Sequence, residues 1–129
     1  MKGEERSILL IDDDREFSAA IEKMLQKHGW DVTLAKGRQE IFEALSQNCF
    51  TVIISELRVR EFQGTELMRE LSKRNLNTPV IFLTAYGEVE SYLTLMNMGA
   101  FEYINKPIKG QEIVSLINKV VVVNSSSAA

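Results

Sequence analysis

Five short apolar runs, each followed by a stretch with helical spacing, constrain this 129-residue chain more than any other feature. Residues 8–11 form a continuous run of β-favouring side chains stopped by Asp12, Asp13 and Asp14, the pattern of a strand buried on both faces. From Asp14 the period changes. Phe17, Ala20, Ile21, Met24 and Leu25 recur at helical spacing, with Asp14 as the cap and His28 and Gly29 as the stop. Residues 32–35 predict a second strand, and Ile41, Phe42 and Leu45 a second helix. The alternation repeats with run 50–54 and helical residues Leu67, Met68 and Leu71, then with run 79–83 and helix 89–98 ending at Gly99. Run 101–104 and helix 112–121, with Ile113, Leu116, Ile117 and Val120 on one face, complete the series. Such alternation implies the α/β class: a doubly wound (βα)5 fold with a five-stranded parallel sheet and helices on both faces. The expected strand order is 2-1-3-4-5, with the ligand crevice at the carboxyl ends of the strands where the order reverses.

Composition bounds what such a domain does. The length and the 45% hydrophobic content fit a single domain over residues 1–129, with a core spanning about 6–123 and a small, polar, frayed tail at 124–129. One cysteine, Cys49, forms no internal disulfide and reads as structural, and there is no Cys/His cluster for zinc, so a reducing cytoplasm is expected. No stretch approaches a membrane span and no signal-peptide core follows the start. With 15 basic against 18 acidic residues, direct nucleic-acid binding is not expected. Arg58, Arg60, Arg69, Lys73 and Arg74 are interleaved with Glu61, Glu66 and Glu70 and read as a solvated helix surface.

The residues that end each strand are chemically coherent. Asp12 and Asp13 follow the first, Ser55 and Glu56 the third, Thr84 the fourth and Lys106 the fifth. Because the first and third strands are neighbours, Asp12, Asp13 and Glu56 place three carboxylates in one crevice, which calls for a cation such as Mg²⁺. Lys106 adds a second positive charge and Thr84 a hydroxyl, a set suited to a phosphoryl group.

The chain resembles the receiver domain of two-component response regulators, the flavodoxin-like phosphoacceptor module, over nearly its whole length. The resemblance rests on the run from Ile8 to the acids Asp12, Asp13 and Asp14, on Thr84 with Ala85, and on the approach Gly99, Ala100, Phe101, Glu102, Tyr103, Ile104, Asn105 to Lys106 and Pro107. It implies metal ligation by Asp13, Glu56 and the backbone carbonyl of Arg58. It also implies phosphoryl binding by Thr84, Ala85 and Lys106, switching through Thr84 and Tyr103, and a cis bond at Pro107. The partners it implies are a sensor histidine kinase or phosphotransfer protein, and a downstream effector or an output domain missing from this chain. Family analogy extends this to a homodimer through the fourth helix, fifth strand and fifth helix.

Two positions depart from the family pattern. Glu56 stands where the phosphoacceptor aspartate belongs, and Arg60 replaces the proline four positions on, while Gly64 keeps the family glycine eight positions on. The extra methylene displaces the carboxylate by about 1 Å, and misplacement on that scale costs about a hundred-fold in rate. Three readings follow: a phosphorylation-independent receiver in which Glu56 imitates the modified state near Lys106, a slow glutamyl acceptor, or a substitution engineered into an ordinary receiver. Two other classes compete. A small Mg²⁺-dependent phosphohydrolase would use the same crevice but lacks a visible general acid, and a flavin or nucleotide binder lacks a glycine-rich phosphate loop after the first strand. The sequence therefore predicts a signalling module rather than a turnover enzyme.

Overall fold

The structure, a computed structural model, describes residues 6–128. In chain order its elements are β1 (Ser7–Ile11), α1 (Arg15–Lys27), β2 (Asp31–Ala35), α2 (Arg38–Gln47), β3 (Val52–Ser55), β4 (Arg58–Val59), β5 (Phe62–Gln63), α3 (Gly64–Lys73), β6 (Val80–Thr84), α4 (Val89–Asn97), β7 (Glu102–Asn105) and α5 (Gly110–Ala128). The main sheet is parallel throughout, in the order β2-β1-β3-β6-β7. That is the expected doubly wound order once the short antiparallel hairpin of β4 and β5 is set aside. Hydrophobic periodicity has no purchase on a hairpin of two-residue strands, which is why the sequence does not reveal it.

Alternation along the strands explains the two layers of helix. Ile8, Leu10, Val52, Ile54, Ile81 and Leu83 pack with Ile21 and Leu25 of α1 and with Ile113, Ile117 and Val120 of α5. Their neighbours Leu9, Ile11, Ile53 and Phe82 face the other way, onto Ile41 and Leu45 of α2, Leu67 and Leu71 of α3, and Leu95 of α4. Successive strand residues point to opposite faces, so a run with no polar gap can only be satisfied between two helical layers. Burying each such side chain contributes about 1.5–3 kcal/mol.

The helix ends follow from local chemistry. Asp14 caps α1 by accepting from the Phe17 N–H at 3.1 Å. Three helices stop in the same way: Gly29, Asn75 and Gly99 adopt positive φ, and the N–H groups of Trp30, Leu76 and Ala100 reach back to the carbonyls of Leu25, Leu71 and Leu95. The imidazole Nδ1 of His28 meets the Met24 carbonyl at 3.0 Å, completing the end of α1.

Several boundaries differ from the sequence reading by a few residues. The third strand begins at Val52 rather than at 50, so Cys49 lies exposed in the preceding loop instead of packing. Its carbonyl accepts from the Ser7 hydroxyl at 2.8 Å. The last helix starts at Gly110 and runs to Ala128, into the stretch 124–129 expected as a tail; residue 129 lies outside the described residues. Arg58 and Arg60 belong to the β4–β5 hairpin region rather than to a helix surface, whereas Arg74 does sit on one, paired with Glu70 at 2.6 Å.

Gly64 opens α3 against the wall of the core. A Cβ there would lie 2.8 Å from Cε1 of the fully buried Phe82 ring, while the Gly64 N–H donates to the Leu57 carbonyl at 2.7 Å. Gly64→Ala is expected to lower stability by about 1–2 kcal/mol, since overpacking outweighs the backbone entropy gained by removing glycine. Urea unfolding at unchanged m-value is the measurement.

Candidate functional site

The sheet register assembles the cleft. Ile11 lies opposite Ser55, and the Glu56 N–H donates to the Ile11 carbonyl at 2.9 Å, so the first residues past β1 and β3 emerge side by side. On the other side the Lys106 N–H donates to the Thr84 carbonyl at 2.8 Å, which brings the end of β7 to the same rim. Asp12, Asp13, Asp14, Glu56, Arg58, Arg60, Ala85, Tyr86 and Lys106 line the resulting cavity of about 450 Å³. Sequence separation is irrelevant to this grouping. Lys106 and Asp12 are 94 residues apart and 2.8 Å apart in space.

Two buried carboxylates share one ammonium. Lys106 Nζ bonds Asp12 Oδ2 at 2.8 Å and lies 3.4 Å from Glu56 Oε2, with Asp12 and Glu56 only 4% and 5% exposed. Its charge also sits 3.8 Å from the centre of the Phe17 ring. Burial works against the Lys106 charge, but Asp12 and then Glu56 outweigh it and hold its pKa above the ordinary lysine value. The remaining carboxylate oxygens are engaged too. Asp12 Oδ1 accepts from the Asp14 N–H at 2.9 Å, Glu56 Oε1 from the Leu57 N–H at 2.7 Å, and Glu56 Oε2 from the Ala85 N–H at 3.1 Å.

Thr84 and Tyr103 lie behind this rim. Thr84 is fully buried, and its hydroxyl oxygen accepts from the Tyr86 N–H at 2.9 Å. It does not line the cleft. Tyr103 points inward at 9% exposure, its hydroxyl 2.6 Å from the Ser91 hydroxyl and accepting from the Glu88 N–H at 3.2 Å. Its ring meets Tyr92 edge to face. Met96 and Met98 are half-buried against the α2–α4 side of the core. The peptide bond between Lys106 and Pro107 is cis. Ser91 and Glu88, which hold Tyr103, carry no sequence signal of that role; the contact depends on how the start of α4 sits over β7.

Comparison with known proteins agrees with this geometry. The family model for the response regulator receiver domain matches residues 8–118. The chain belongs to that family. It is 30% identical over 108 residues to the transcriptional regulatory protein ZraR of Klebsiella oxytoca, covering 84% of this chain and 24% of ZraR. It is 33% identical over 117 residues to the probable transcriptional regulator ycf29 of Porphyra purpurea, covering 89% of this chain and 56% of that protein. Among solved structures, a response regulator receiver domain protein from Clostridium thermocellum superposes with a TM-score of 0.85 at 29% identity, covering 92% and 96% of the two chains. The chain thus spans about a quarter to about half of the length of these curated relatives. Receiver domains are generally signalling modules that interact with histidine kinases and effector output domains. Among the described residues no helix is long and apolar enough to cross a membrane.

Receiver domains typically bind Mg²⁺ at the phosphorylation site. The acidic side chains of this receiver are engaged by donors of the chain itself rather than gathered around one ion. Among the described residues no three Asp, Glu, His or Cys side chains gather as a metal-binding group. The three expected carboxylates do line one crevice, but Asp12 and Glu56 are joined through Lys106 while Asp13 is exposed on the rim. Asp13 Oδ2 accepts from the Arg60 N–H at 3.2 Å. The physical reason is that the longer Glu56 side chain reaches the ammonium and two N–H donors, which neutralise it without an added cation.

Removing the ammonium tests this account of the charge balance. Lys106→Met leaves two buried carboxylates without their partner and is expected to cost about 3 kcal/mol or more at neutral pH. That deficit should shrink as the pH falls through the carboxylate range, because protonation removes the unpaired charge. In the unmodified chain the raised Lys106 pKa has the opposite window: its contribution is full below lysine's ordinary pKa and is lost as the pH rises through the folded-state value. Chemical unfolding across the two pH ranges reads both effects.

Proposed function

We propose that this receiver signals without phosphorylation, Glu56 taking the part that a phosphorylated aspartate plays in other members of the family. One observation carries the reading. Glu56 Oε2 accepts from the Ala85 N–H at 3.1 Å and faces the Lys106 ammonium at 3.4 Å, and these are the groups that the family resemblance assigns to phosphoryl binding. The carboxylate has been extended by one methylene to where those donors can be reached. A second observation supports it: Tyr103, the family's switch aromatic, is turned inward and hydrogen-bonded to Ser91 and Glu88. Coupling between Thr84 and Tyr103 then runs through the loop that follows β6, whose backbone contacts both Glu56 and the Thr84 hydroxyl.

In this reading Asp12 and Lys106 fix the Glu56 carboxylate, Ala85 reports its position to the loop, and Tyr103 presents the resulting surface to a protein partner or an output domain. ZraR and ycf29 are longer than the matched region, which is consistent with an output domain elsewhere in a longer protein. The phosphohydrolase alternative draws no support from the cleft. Glu56, its nucleophile or base, already has both oxygens engaged by donors.

Intact-mass measurement after incubation with Mg²⁺ and acetyl phosphate tests the proposal. The unmodified chain is expected to stay unmodified, while Glu56→Asp gains one phosphoryl group. A phosphoryl adduct on the unmodified chain, absent from Glu56→Gln, would overturn the reading and make this receiver a glutamyl acceptor.

A further inference from the structure

The two departures from the family pattern meet in space. Arg60, at the turn of the β4–β5 hairpin, has φ of +56°, and its N–H is the donor to Asp13 Oδ2. Proline cannot occupy that conformation, because its ring fixes φ near −65°, and it has no N–H to give. A proline at position 60 would therefore abolish both the turn geometry and the contact with Asp13. Glu56, the other departure, engages its oxygens with the Leu57 and Ala85 N–H groups and Lys106. Each departure thus occupies a carboxylate that the resemblance assigns to the metal.

We infer that this cleft balances its acids with Lys106 and backbone N–H groups in place of a divalent cation, Glu56 withdrawing one ligand and the Arg60 N–H holding another, so that the receiver is indifferent to Mg²⁺. The inference deepens the phosphorylation-independent reading and rests on it for the role of Glu56. The energetics favour the fixed partners. A buried ion pair with its remaining lone pairs hydrogen-bonded is satisfied, and Mg²⁺ gives up its water reluctantly. To take Glu56 as a ligand the ion would have to compete with these donors for its oxygens. Arg58 and Arg60 on the same rim add positive charge that opposes its approach.

Calorimetric titration with Mg²⁺ at millimolar concentration tests this, with far-UV circular dichroism confirming the fold of each protein. The unmodified chain is expected to give no saturable heat, and Glu56→Asp, whose shorter side chain falls back toward the acids, to give saturable binding. Adding Arg60→Pro to Glu56→Asp should tighten that binding by about threefold to tenfold, the effect of freeing Asp13 from one net hydrogen bond. Adding Arg60→Gly instead, which permits positive φ and keeps the N–H, should give only the smaller gain from removing the arginine charge, which proline removes as well. Saturable Mg²⁺ binding by the unmodified chain overturns the inference even if no phosphoryl adduct forms, which separates its failure from that of the reading above. A folded Glu56→Asp that still ignores Mg²⁺ overturns the role given to Glu56, and equal gains from proline and glycine overturn the role given to the Arg60 N–H. If Glu56→Asp does not fold, the titration of the unmodified chain decides.

Discussion

Everything at the functional end of this molecule depends on one ammonium held between two buried carboxylates. Lys106 reaches Asp12 at 2.8 Å and Glu56 at 3.4 Å from the far side of the sheet, and both acids are almost wholly removed from water. Without that cation two like charges would face each other in a low dielectric, and one would have to take up a proton. The pairing is expensive in desolvation and is sustained because the remaining oxygens find N–H donors at Leu57, Ala85 and Asp14. It follows that the ends of β1, β3 and β7 and the loop after β6 cannot drift independently, since each supplies one member of the same network.

The sheet makes such a network attainable. Hydrophobic burial on both faces fixes the register, because a one-residue slip would exchange the residues facing α1 and α5 for those facing α2, α3 and α4. Fixed register sets Ile11, Ser55, Phe82 and Tyr103 at one level, with Thr84 and Asn105 two residues further along. The polar site is therefore a consequence of apolar packing several residues away. Loops then specialise it, as at Ala85, where the chain offers its N–H to Glu56 just beyond the last buried residue of β6.

This division explains how much of the protein is legible in its sequence. The five sheet strands, the five helices and the gathering of Asp12, Glu56, Thr84 and Lys106 at the strand ends follow from period and topology, which depend on many residues at once. So do the helix stops at Gly29 and Gly99, whose positive φ is written in the residue type. Asn75, a third stop with the same geometry, is less conspicuous because asparagine has other uses. What escapes is decided by single contacts. The β4–β5 hairpin is too short to show a period, the partner of Asp13 is a backbone N–H that any residue but proline possesses, and Ser91 meets Tyr103 only through the placement of α4. The sequence does mark Arg60 as unusual for the family. Only the fold shows that its backbone N–H meets Asp13.

A receiver that switches needs two states of comparable free energy and a ligand that binds them differently. In a phosphorylated receiver the phosphoryl group is that ligand, and its arrival and removal move the population. A carboxylate built into the chain at Glu56 is always present, so its contacts to Ala85 and Lys106 bias the equilibrium by a constant amount and cannot by themselves transmit a signal. Moving a population from one part in a hundred to ninety-nine takes a differential of about 5.5 kcal/mol, which a permanent contact has no means of turning on. On the reading proposed above, regulation enters elsewhere, through how much of the protein is made or through a partner that binds one conformation better than another. Tyr103 is held inward by Ser91 and Glu88 at the start of α4, where Tyr86, Val89 and Leu93 stand exposed, and on that reading this is the surface offered to such a partner. The acidic cleft is then the fixed part of the device, and the surface beside it the variable one.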